Sequence, residues 1–169
     1  MPHSAIAVFT ANSRDEIVAV GGSASWVVSE KQARRREFLV CVRNARDVDF
    51  PDYELHGTAF LVGRITGLKP HGHDKKGMQR WLIEINEYAT IDLPEAWGNW
   101  RNPVKYTTLE ELGIDPKKLK FKAMPTPTKV LTPPPAPSKS RGLTIAEAKA
   151  GLALQFGVAE EAIEILIKG

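Results

Sequence analysis

The sequence predicts an α+β protein: a small mixed β-barrel with peripheral helices, followed by a tethered C-terminal helix–strand element. Three observations carry that prediction. Short apolar runs rich in β-branched and aromatic residues recur along residues 1–124, bounded by polar or Gly-containing stretches. One of them, Thr58 to Leu68 (TAFLVGRITGL), holds Gly63 and Gly67 inside it, as strands do where they bend or bulge around a small barrel. Finally, residues 125–142 (PTPTKVLTPPPAPSKSRG) hold six of the chain's twelve prolines and few residues able to bury surface. They form a semi-rigid linker between a body, residues 1–124, and a tail, residues 143–169.

Taken in order, Ala5 to Thr10 (AIAVFT) reads as a short apolar strand. Ser25 to Ser29 (SWVVS) fits either an extended turn or the start of a helix through Glu30 to Arg36. Phe38 to Arg43 (FLVCVR) is a buried strand. After the glycine-containing run, PHGHDKKG is a polar hairpin loop, and Trp81 to Tyr88 (WLIEINEY) has the alternation of a half-buried strand. Thr107 or Thr108 caps a short helix opening at Leu109-Glu110-Glu111 and stopped by Gly113. In the tail, Thr144 with Glu147 makes a capping box, Gly157 ends the helix, and IEILIKG is strand-like. The order is not βαβ and no phosphate loop follows a strand, which argues against a doubly wound nucleotide-binding sheet.

Composition narrows the function classes. Apolar runs of about 4 to 6 residues are far shorter than the ~18 of a membrane span, and the first residues lack a signal-peptide pattern. A soluble, cytoplasmic protein is expected. The single Cys41, between Val40 and Val42, reads as a core hydrophobe rather than a nucleophile. Charge is uneven: residues 1–114 carry 14 Lys/Arg against 15 Asp/Glu, residues 115–142 seven against one, and residues 143–169 two against four. The basic excess is thus confined to one stretch that suits a weak polyanion contact.

Two aromatic segments stand out as candidate sites. In Ser25 to Arg36 a tryptophan precedes hydroxyls and then a triple arginine, and a flat ring stacks a base while guanidinium groups hold phosphates. Trp26 reads equally well as a core anchor and the arginines as a solvated helix face. In Trp97 to Pro103 (WGNWRNP), Trp97 and Trp100 either close an open end of the barrel or border a pocket. His71, His73 and Asp74 lie close together, but no Cys pair or distant histidine completes a metal set, so a solvated loop is expected there and no metal or cofactor. No GxSxG motif is present, and Glu84 and Glu87 fall on opposite strand faces.

VSEKQAR, residues 28–34, resembles the VRNYQAR motif of EVE domains, a branch of the PUA-like barrels, with Val28, Gln32, Ala33 and Arg34 in register. The order that follows is similar to the family's as well: a buried strand ending in Asn44, GTAFLVGRITG, a strand opening at a Trp, and PVKYTTLEEL resembling PVSLxxL. The likeness spans residues 5–114. Ser29, Glu30 and Lys31 stand where the family usually has Arg-Asn-Tyr, and Trp26 lies two residues before the matching valine rather than three.

That resemblance implies a non-catalytic reader of a modified or flipped base in DNA or RNA. Trp26 would supply the stacking wall. Ser29, Gln32 and Asn44 would read the base edge, Arg34, Arg35 and Arg43 would hold flanking phosphates, and Trp97 and Trp100 would border the site. A rival expectation is an ASCH-like amidohydrolase or nuclease that uses Lys31 with Glu30 or Glu37. A third is a protein-interaction adaptor, in which the tail mediates homo-oligomer or protein contacts.

Overall fold

The computed structural model describes residues 1–45, 54–131 and 144–165. The chain divides into two compact units, residues 1–136 and 137–169. The first is built on one mixed sheet: β1 (Ser4–Thr10), β2 (Gly22–Trp26), β3 (Phe38–Arg43), β4 (Ala59–His73), β5 (Gln79–Leu93), β6 (Val104–Thr108) and β7 (Lys122–Ala123). Its order is β2-β5-β4-β3-β1-β6, with β7 also on β5. The parallel pair is β1 with β3, and every other pairing is antiparallel. A parallel pair needs a crossover, and α1 (Arg14–Val20), β2 and α2 (Glu30–Ala33) supply it. The fold is α+β with a mixed sheet, as the sequence predicts; no ladder joins β2 to β6 among the described residues, so the sheet is open.

All six residues of β3 are buried because both faces of the sheet are covered. Its side chains alternate between two cores. Leu39 and Cys41 join Ile6, Val8, Phe60 and Ile83 on one side, while Phe38, Val40 and Val42 join Ala5, Ala7, Val62 and Trp97 on the other. The long β4–β5 hairpin bends where the glycines predict. Register shifts fall at Arg64/Ile65 and Ile65/Gly67, and a Cβ on Gly63 would sit 2.6 Å from the Ile85 side chain. The hairpin loop is tighter than expected: the strands run through Pro70–His73, leaving a turn in which Asp74 Oδ1 accepts the Lys76 and Met78 amides at 2.8 Å each.

Helix α1 was not expected from apolar periodicity. A capping box makes it: Ser13 Oγ accepts the Glu16 amide at 3.2 Å, the Glu16 carboxylate accepts the Ser13 amide at 2.7 Å, and Gly21 at φ 86° closes the C-terminus. The same device shapes Thr108–Gly113, where Thr108 Oγ1 and the Glu111 carboxylate cap each other reciprocally. The segment makes only a hydrogen-bonded turn ended by Gly113 at φ 77°, not the helix predicted there.

After β6 the chain runs as a strap across the body. Leu119 and Phe121 pack on the second core and Met124 on the first. The Met124 amide bonds Asn86 O at 2.8 Å, and the Thr128 and Lys129 amides bond Ala19 O at 2.9 and 3.0 Å. The first residues of the proline-rich segment are therefore tied to the body, and residues 132–142 of the expected linker, with residue 143 of the tail, lie outside the described residues. In the second unit, α3 (Ile145–Phe156) ends at Gly157, φ 65°. A 3-10 turn, Glu160–Ala162, follows, and Ile163–Ile165 are not a strand. The Glu147 side chain and residues 166–169, with the rest of the strand-like segment, lie outside the described residues. No helix among the described residues is long and apolar enough to cross a membrane.

Candidate nucleic-acid interface

Strand β2 ends at Trp26 opposite Trp81 of β5, and beyond it the chain turns outward into α2, opening a groove of about 610 Å³. Trp26, Val28 and Ser29 line one side, Met78 and Arg80 of the hairpin a second, and Pro103, Val104 and Tyr106 a third. The wall is fixed by hydrogen bonds. Trp26 Nε1 donates to Ser23 Oγ at 2.9 Å, the Ser29 amide donates to Tyr106 Oη at 2.9 Å, and an Arg80 guanidinium NH donates to Ser25 O at 2.7 Å. Trp26 is half-buried, with part of its surface on the first core and part lining the groove. The Arg36 guanidinium lies over the Tyr106 ring, 5.5 Å from its centre.

A second concavity, about 1110 Å³, shares Pro103 with the first and is lined by Phe9, Asn44, His56, Trp97, Trp100 and Arg101. Its floor is a parallel Phe9–Trp97 stack with centroids 4.8 Å apart. Trp97 is buried and Trp100 is 45% exposed. Both indole NH groups are spent on backbone, Trp97 on Trp100 O at 2.9 Å and Trp100 on Val104 O at 3.2 Å. Trp97 thus closes the sheet's end, and Trp100 keeps an open ring.

The structure separates residues that the sequence groups into one pocket. Trp26 and Ser29 line the groove, whereas Asn44, Trp97 and Trp100 line the second concavity. Gln32, Arg34 and Arg35 are exposed on and just after α2 and line neither. Arg34 is spent on Glu30, one turn back, at 2.8 Å. Arg43 is 3% exposed and donates to Ala11 O at 2.7 Å, so its guanidinium is directed into the protein rather than toward either concavity. As the last residue of a strand buried on both faces, it had no solvent side to point to. Lys31 is exposed and lines neither concavity.

Arg80 and Tyr106 line the groove without having been singled out from the sequence. Arg80 directly precedes Trp81, but the Ser29–Tyr106 contact joins positions 77 apart and has no local signal. Beside the groove, Ser25 Oγ reaches His71 O, and the His71 ring is buried with neither nitrogen hydrogen-bonded among the described residues. Burial, and secondarily the Arg80 charge, hold its pKa below the ordinary histidine value. His73 is exposed and Asp74 is engaged by backbone amides, so the three residues do not converge on a point. Burial drives the Cys41 thiol well above its ordinary range, which leaves it inert.

Comparison of the chain with protein-family models, with curated proteins and with solved structures finds no match, so the likeness of residues 28–34 rests on its motif residues.

Proposed function

We propose that this protein is a non-catalytic, cytoplasmic nucleic-acid-binding module that reads a modified or flipped base in the groove beside Trp26, on a PUA-like, EVE-type scaffold. One observation carries the reading. The segment that resembles the EVE motif opens onto a concavity of about 610 Å³, a size suited to a small planar ligand, with aromatic walls at Trp26 and Tyr106. A base entering it would stack on those rings while the polar groups of Ser25–Ser29 and Arg80 meet its edge. Closure of the sheet into a barrel is part of this proposal; among the described residues the sheet is open between β2 and β6. The tail, whose Ile145, Leu152, Phe156 and Val158 are exposed, is read as an assembly element for a second copy or a protein partner.

The test is fluorescence titration of the full chain with matched oligonucleotides that differ in a single modified base, in DNA and RNA series. Selective binding to one modification is expected. Trp26→Ala should weaken that complex about 5- to 150-fold, the loss of one base–aromatic stack, and Trp26→Phe should recover most of it. Equal affinity across the panel, unchanged in both variants, would reject the reader.

A further inference from the structure

We infer that the strap between β6 and the proline-rich segment is a phosphate-tracking surface for a nucleic-acid strand, separate from the base groove. The inference rests on the reader proposed above. Residues 115–131 contain five lysines and one acidic residue. The acidic residue, Asp115, is already engaged, its carboxylate accepting the Lys117 amide at 3.0 Å. Lys117, Lys118, Lys120, Lys122 and Lys129 are all exposed, and none forms an ion pair among the described residues. The Lys122 ammonium lies over the Tyr88 ring, 4.7 Å from its centre.

What turns these charges into a surface is the strap's alternation. Leu119 and Phe121 face the second core while Lys118, Lys120 and Lys122 face outward. Lys118 ends a 3-10 turn, Pro116–Lys118, and the chain is extended from Leu119; alternate residues of an extended chain stand roughly 6.6 Å apart, so packing of Leu119 and Phe121 sets Lys118, Lys120 and Lys122 on the outer side of the strap. The strap is anchored beyond them, where β7 pairs with Glu87 and Tyr88 of β5. Lysine is a strongly hydrated point charge without a planar fork, suited to holding a phosphate backbone without reading sequence. A nucleic-acid strand is favoured over an anionic membrane because the strap's large apolar residues from 116 to 124 are turned into the cores, leaving no apolar wedge to enter lipid.

The test uses the full chain with Lys118→Gln, Lys120→Gln and Lys122→Gln combined, beside the matching triple Lys→Arg variant. The probe is an unmodified oligothymidylate strand titrated across a salt series, with phosphatidylserine-containing vesicles as the second arm. Each lost phosphate contact on a single strand removes about 0.7 from the slope of log K against log salt, so the Gln variant should lose about 2. The Arg variant should keep the wild-type slope. An unchanged slope in the Gln variant, with its melting temperature preserved, overturns the strap, as does failure of the wild-type chain to bind the strand at low salt. Vesicle binding that falls in the Gln variant while the strand slope holds overturns it in favour of lipid. Discrimination among modified bases reports on the Trp26 groove, so a chain with the expected slope change and no base preference keeps the strap and loses the reader.

Discussion

The arginines around α2 and the lysines of the strap carry the same sign of charge but are used differently. Arg34 is held by Glu30, Arg36 lies over Tyr106, and Arg43 and Arg80 donate to the carbonyls of Ala11 and Ser25. The planar, weakly hydrated guanidinium finds partners inside its own fold. The strap lysines form no ion pairs among the described residues, although Lys122 lies over the Tyr88 ring. Density of charge along a sequence therefore says little about the charge available to a ligand. Here two of the three clustered arginines, Arg34 and Arg36, are engaged within the protein itself.

The largest test of that contrast is Arg43→Ala. Loss of a buried hydrogen bond and of packing should cost roughly 2 to 4 kcal/mol in urea unfolding, with the salt slope of strand binding unchanged. A shallower slope at full stability would return Arg43 to the ligand surface. His71→Leu comes next and probes what the inward Arg80 does to its neighbour. The depressed histidine pKa means that the unfolded chain takes up a proton the folded chain refuses, so wild-type stability should fall as pH drops below 6.5. The Leu variant should flatten that fall, and thermal melts from pH 7.5 to 5 that match wild type would place the ring in contact with water. Arg36→Gln should cost about 0.5 to 1 kcal/mol through the lost cation–π contact, whereas Lys118→Gln should stay within about 0.5 kcal/mol of wild type. Equal losses would erase the distinction between cations with and without a partner among the described residues. Smallest is His3→Ala. The His3 ring hydrogen bond holds the Glu110 carboxyl at about 2, below its ordinary 4.5, so the pair contributes stability above pH 4.5 that is lost between there and about 2. Removing His3 should move the onset of acid unfolding slightly upward, and coincident acid titrations would show that the exposed pair does nothing for the fold.

Much of the fold is legible where the signal is local. The apolar run Phe38–Arg43, the bends at Gly63 and Gly67 and the stop at Gly113 follow from residue type and spacing. Helix α1 was legible too, since Ser13 and Glu16 stand at capping-box spacing before Gly21, but Arg14–Val20 is too short to show an apolar period. The two-residue β7 has no signal of its own and exists because Phe121 and Met124 are pulled onto the body. For the site, that Trp26 and Ser29 line one groove follows from their closeness in sequence. Its third wall does not: Tyr106 arrives through β6 pairing with β1, a long-range choice that no window around residue 26 contains. Arg43 misleads for the opposite reason, because a charged strand end looks exposed until the sheet is known to be covered on both faces.

The placement of β7 bears on self-association. Strand β4 occupies one edge of β5 from Ala59↔Leu93 to His73↔Gln79, so β2 and β7 divide the other edge between them, β2 at Trp81–Glu84 and β7 at Glu87–Tyr88. An unpaired strand edge is a template for another chain. Two residues of strap, with a lysine among them, shield the stretch that β2 is too short to reach. A chain cut before Phe121 would present Asn86 to Tyr88 as an open backbone ladder, with Tyr88 no longer covered by Lys122. Such a truncation should precipitate or form oligomers at concentrations where the intact chain remains dispersed, making the short strand a guard against aggregation as well as an anchor.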